Sequence, residues 1–200
     1  EPTPANGIDR GPKTSWPSPK NSYFGIIDTA GFPKDSYYFY QSQWNDKKHT
    51  LHILPSWNED SIMKSYDGKV KVVVYSDADK VELKLNGKSL GTQEYEEHTT
   101  AVGYKYKALK GQSGHGSLYM VWEVTYEAGT LEAVAYDKSG GVIAETEGRS
   151  VIKTSGRAAK LVVKADRNVI KTGGEDLSYI TVDVTDEDGN IVPDAANDIT

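Results

Sequence analysis

The sequence predicts a mainly β chain built on an antiparallel sandwich of immunoglobulin type. Three observations carry this. Seven or more short runs of alternating apolar and polar residues follow one another between residues 51 and 146, at the spacing of sandwich strands. Asn86-Gly87, a strong short hairpin signal, sits between two of them. Only one stretch, residues 33–44, has a helical rather than a two-residue period.

Taken in order, residues 1–21 hold five of the eight prolines, with Gly7, Gly11 and a lone Trp16, and show no period. They read as a long loop, a kind that is uncommon unless it lines a site. Residues 23–27, Tyr-Phe-Gly-Ile-Ile, read as a short buried strand, and Thr29-Ala30-Gly31 as a sharp turn. Pro33 suits the first turn of a helix, where its missing N–H costs nothing. Tyr37, Tyr40, Gln41 and Trp44 then recur at three- and four-residue spacing, which places the rings on one helical face and predicts them as core. Strands are predicted at 51–54, 70–75, 81–85, 88–92, 104–109, 119–126, 131–136 and 142–146. Residues 155–159, Ser-Gly-Arg-Ala-Ala, read as a linker. Beyond it, 160–166 and 179–184 begin a second sandwich, with Asp188-Gly189-Asn190 as a turn. A two- or three-stranded piece leaves one apolar face uncovered.

Composition narrows the classes. The chain of 200 residues is 37% hydrophobic and 26% charged, as in a folded soluble protein. A net charge of −6 withholds the attraction that nucleic acid requires. There are no cysteines, hence no disulfide or thiolate metal site. No apolar run approaches the roughly 20 residues of a membrane span. His49 and His52, three apart on a strand, point to opposite faces and cannot share a metal ion. His115 lies in a glycine-rich tip. Asp183, Asp186 and Asp188 are turn residues or a weak calcium site. No metal site and no cofactor is expected.

Residues 22–44, read with Glu1-Pro2-Thr3-Pro4, resemble the last β/α unit of the catalytic barrel in glycoside hydrolase family 2, the family of β-galactosidases. His52-Ile53-Leu54-Pro55-Ser56-Trp57 and residues 81–91 resemble the β-sandwich that follows that barrel. The resemblance implies three parts: residues 1–47 as a remnant of the (β/α)8 barrel, 48–154 as the sandwich, and 155–200 as the start of a further immunoglobulin-like domain. It also implies a retaining hydrolase using two glutamates, which this chain does not contain, so that the chain alone is catalytically silent. The partners implied are the remainder of the barrel and a β-linked sugar. Ser22-Tyr23-Phe24 stands where glucuronide-cleaving relatives carry Asn-x-Lys, which favours a neutral sugar such as galactose. The resemblance further implies a bacterial extracellular or cell-surface location.

Three residues are candidates for sugar contact. Glu1 lies just past the eighth barrel strand in the resemblance. Asp28, before the glycine turn, either lines the pocket or makes a local turn bond or helix cap. Trp16 either offers its indole face to a sugar ring or pins the loop to the barrel rim. The competing class is a non-catalytic immunoglobulin-like module that binds carbohydrate or protein. It accounts for residues 48–200 but not for the aromatic helix and the loop before it.

Overall fold

The computed structural model describes residues 24–28, 30–112 and 115–198. Among the described residues one α-helix, α1 (Asp35–Trp44), precedes a two-layer sandwich. One layer runs β6 (Met120–Thr125), β2 (Lys69–Ser76), β1 (His49–Leu54) and β8 (Thr146–Glu147). The other runs β5 (Lys105–Leu109), β4 (Lys88–Thr99), β3 (Lys80–Leu85), β7 (Thr130–Tyr136) and β9 (Val151–Lys153). Within these layers every strand pair is antiparallel except β1 with β8. The five-stranded order matches the variable-type immunoglobulin sheet, in which two extra strands extend the second layer.

Alternation builds the core. Val70, Val72 and Val74 of β2 and Val81, Leu83 and Leu85 of β3 face inward, meeting Met120, Trp122 and Val124 from β6 and Leu131, Ala133 and Ala135 from β7. Trp57 is fully buried among them and donates its indole N–H to the Glu127 carbonyl, so the ring's one polar atom is satisfied. At the β3–β4 turn, Asn86 and Gly87 have φ of 52° and 78°, the left-handed pair of a type I′ hairpin. The Asn86 amide also bonds Glu127, Ala128 and Thr130, tying the turn to the start of β7. Asn86→Ala is expected to lower stability by about 2 kcal/mol in urea denaturation, through lost bonds and a strained φ.

Several expectations are corrected. The return strand after Gly87 runs to Thr99, well past residue 92. Residues 142–145 form no strand: the Asp137 turn brings Val142 back to an isolated bridge with Tyr136 and the Ile143 N–H to the Ala135 carbonyl, and regular pairing resumes only at Thr146, in β8. The final sandwich strand is instead β9. Phe24 and Ile27 are half exposed, not a buried strand, with a lone bridge from Ile27 to Pro33. That bridge holds Pro33 outside the helix, which begins two residues later at Asp35.

Beyond the sandwich, β10 (Lys160–Ala165) pairs with β11 (Ile180–Thr185). Opposite residues share a face, so Leu161–Val184, Val163–Val182 and Ala165–Ile180 make one wholly apolar face. Val163 is 61% and Ile180 64% exposed, as expected for an uncovered sheet face. Among the described residues no helix is long and apolar enough to cross a membrane.

Candidate functional site

The most elaborate side-chain arrangement lies where α1 crosses β1. β3 alternates buried and half-exposed positions, but Thr50, Leu51, His52 and Ile53 of β1 are all buried. The reason is that α1 lies over the face of β1 that would otherwise be wet. Tyr38 stacks flat on the His52 ring, with centroids 3.9 Å apart and planes 11° from parallel. Phe39 packs edge-on against Tyr75, and Tyr119 lies against both. Burial accordingly pushes the Tyr38 and Tyr75 phenols up.

His52 is 2% exposed and has both nitrogens engaged. The Arg149 backbone N–H, which can only donate, reaches Nδ1 at 3.1 Å. Nδ1 therefore accepts, and Nε2–H donates to Asp35 Oδ1 at 2.7 Å. The Arg149 guanidinium donates to the same oxygen at 3.0 Å. The His52 bond first, and the Arg149 charge as well, hold the Asp35 carboxyl below its usual range against the opposing effect of burial. A second polar group sits one turn on. Buried Gln41 donates to Glu147 at 2.6 Å and accepts from the Thr50 hydroxyl at 3.1 Å, while Lys48 pairs with the other Glu147 oxygen. Lys48 and Gln41, in that order, hold the Glu147 carboxyl low.

The opposite side of α1 is bare. Tyr40 and Trp44 touch each other at 4.8 Å, and Trp44 is 78% exposed. The rings expected in the core thus divide: Tyr37 and Tyr40 are half-buried and Trp44 is outside, while Gln41 and Ser42 are the helix's buried residues. Four consecutive aromatics, Tyr37 to Tyr40, put rings on every side, so spacing alone could not choose the packed face. The polar partners on β1 and β8 choose it.

An acid beside an imidazole invites comparison with a catalytic dyad, but here the ring is buried and its second nitrogen is occupied by a peptide N–H. Every carboxyl whose proton affinity is clearly shifted, Asp35 and Glu147 included, is shifted down. A general acid needs the reverse. What the arrangement does is fasten α1 to β1 and to the segment around Arg149. Among the described residues no group of three or more His, Asp or Glu side chains could hold a metal ion. His49 and His52 do face opposite ways, His49 pairing with Asp77 in the open.

Of the sequence-predicted contact residues, Glu1 and Trp16 lie outside the described residues. Asp28 is exposed, and its Oδ1 accepts from the Ala30 and Phe32 amides at 2.9 Å each, a local turn. It does not join Asp35, His52 and Arg149. Near it, Ile27, Gly31, Pro33, Tyr37, Tyr38 and Glu147 line a shallow cleft of about 410 Å³. Sequence reasoning missed the His52 group, because its members lie 17 and 97 positions apart. The one available signal was the Thr-Leu-His-Ile run of β1, which lacks the charged alternation of β3.

Residues 67–144 match a domain of unknown function, DUF4982, and residues 161–200 match glycoside hydrolase family 2 C-terminal domain 5. A β-galactosidase of Bacteroides ovatus is 41% identical over 186 residues, covering 91% of this chain. The chain is a relative of the family 2 glycoside hydrolases. A Formosa agariphila protein named as a β-glucuronidase is 34% identical over 179 residues, 88% of the chain. The crystal structure of a β-glycosidase from Bacteroides vulgatus superposes with a TM-score of 0.65 at 28% identity over 86% of the chain. The chain spans 18%, 15% and 19% of the lengths of these three relatives.

Proposed function

We propose that the chain is part of a family 2 glycoside hydrolase of β-galactosidase type, in which residues 1–47 belong to the catalytic barrel and the sandwich braces it. The whole enzyme hydrolyses β-glycosidic bonds with retention, using two glutamates held about 5–5.5 Å apart on barrel strands outside this chain. The observation that carries the reading is the uncovered side of α1. A helix gripped by the sandwich through Tyr38, Phe39 and Gln41, yet presenting Trp44 to solvent beside a half-buried Tyr40, is dressed for a second apolar layer. The 41% identity to a β-galactosidase favours a neutral sugar, as does Ser22-Tyr23-Phe24 in place of a cationic motif.

The test compares this chain with the longer reading frame carrying the barrel. On a chromogenic β-galactoside the longer protein turns over and the chain alone stays at background; turnover by the chain alone would overturn the proposal. Trp44→Ser is expected to leave the stability of this chain within about 0.5 kcal/mol, as for an exposed position. In the barrel-containing protein the same change lowers Tm, because there the ring is covered. An equal, negligible effect in both proteins would remove the helix from the barrel interface.

A further inference from the structure

We propose that residues 154–156, at the start of the stretch that the sequence reads as a linker, form a fixed elbow that holds the β10–β11 pair at one angle to the sandwich. The decisive feature is that two consecutive peptide N–H groups are claimed from opposite sides. Ser155 N–H donates to Asn58 Oδ1 at 3.1 Å, and the Asn58 amide returns a bond to the Ser155 hydroxyl at 2.7 Å, which fastens Ser155 to the sandwich. The next N–H, of Gly156, donates to Asp186 Oδ2 at 2.8 Å, at the end of β11. No freely rotating residue separates the two attachments.

Each anchor is itself immobilised. Just before the elbow, the Thr154 hydroxyl donates to the Trp57 carbonyl and accepts from the Gly129 N–H, which fastens it to the sandwich. Asp186 is 5% exposed, and besides Gly156 its carboxylate accepts from the Asp188 and Asn190 amides and the Asn190 side chain. Four donors hold it to about 2, so it is a full anion at neutral pH and its bonds are charge-assisted. The Ala159 N–H then bonds the Thr185 carbonyl, so the β10–β11 ladder starts three residues past the bend. The two units also face one another across a cleft of about 290 Å³, with Trp57, Val151 and Lys153 on one side and Asn190, Ile191 and Pro193 on the other. The apolar face of β10–β11 is therefore presented in a set direction.

Backbone ¹⁵N relaxation on this chain tests the elbow without reference to catalysis. The expected result is one rotational correlation time for the sandwich amides and those of β10 and β11. Asn58→Ala, which leaves Asp186 and its turn intact, is expected to give β10 and β11 a shorter correlation time than the sandwich. Asp186→Ala should do the same. Gly156→Ala is the control, since its Cβ would stand in ordinary contact, 3.7 Å from Asp186, and it keeps the N–H. Two correlation times in the unaltered chain, or a single one retained in Asn58→Ala, would overturn the proposal. Should Asp186→Ala unfold the β11 turn, seen as lost shift dispersion there, Asn58→Ala decides the matter.

Discussion

Replacing Gly148 with alanine is expected to destabilise the chain by more than about 3 kcal/mol and to detach the helix from the sandwich. Gly148 has a φ of +108°, outside the regions that residues with a Cβ occupy. A Cβ there would lie 2.7 Å from the Leu51 carbonyl oxygen and 2.9 Å from His52 Cβ. Neither neighbour can yield. Leu51 and His52 pair with Ser76 and Tyr75 across the β1–β2 ladder, and the Ile53 N–H is bonded to the Arg149 carbonyl at 2.9 Å. The close approach at Gly148 is what brings the Arg149 N–H to the His52 ring, so relief of the clash must lengthen that bond. Urea denaturation measures the loss, and hydrogen exchange of the α1 amides shows where it falls. Gly140→Ala separates strain from collision. Its φ is +85° but nothing stands within 4 Å of the added Cβ, so a cost of about 1–2 kcal/mol is expected. Equal costs at the two glycines would mean that the contact with β1 contributes nothing.

What could be read from the sequence was what is local. Residues 81–85 alternate because one face of β3 is core and the other is not, and Asn86-Gly87 carries its own backbone preference, so both were legible. The same rule held only in part at 142–146, where Val142 and Ile143 do return beside Tyr136 and Ala135 but the pairing stops there, and β9 takes the edge of β7 further along. It failed on α1. The existence of the helix follows from its composition, but its orientation follows from His52, Thr50 and Glu147, and nothing near residues 35–44 announces these. Arg149 is 114 positions from Asp35, so the joint existed in the sequence only as an unexplained buried-looking histidine. Residues 155–159 do connect β9 to β10 without regular structure, but nothing local announces that Asn58 and Asp186 take the N–H groups of Ser155 and Gly156.

The second large effect is expected at His52. His52→Phe keeps a flat ring for Tyr38 to stack on, and removes both nitrogens. The Arg149 N–H then loses its acceptor in a buried place, and Asp35 loses its closest donor. We expect a loss of about 2 kcal/mol, more than a neutral hydrogen bond is worth, because the buried Arg149 N–H is stranded and the half-exposed Asp35 carboxylate keeps only its Arg149 partner. Acid should close the gap. The Asp35 carboxyl is depressed in the folded chain, chiefly by the His52 bond, so its contribution is complete above the unfolded value of about 3.9. It declines as pH falls through the lower folded value. The stability difference between the two chains should therefore be largest near pH 5 and should narrow below about pH 4, although not to zero, since the Arg149 N–H lacks its His52 acceptor at every pH. A difference as large at pH 3 as at pH 5 would show that the carboxylate has no part in it, leaving the grip of the sandwich on its helix to the stacked rings and to Gln41.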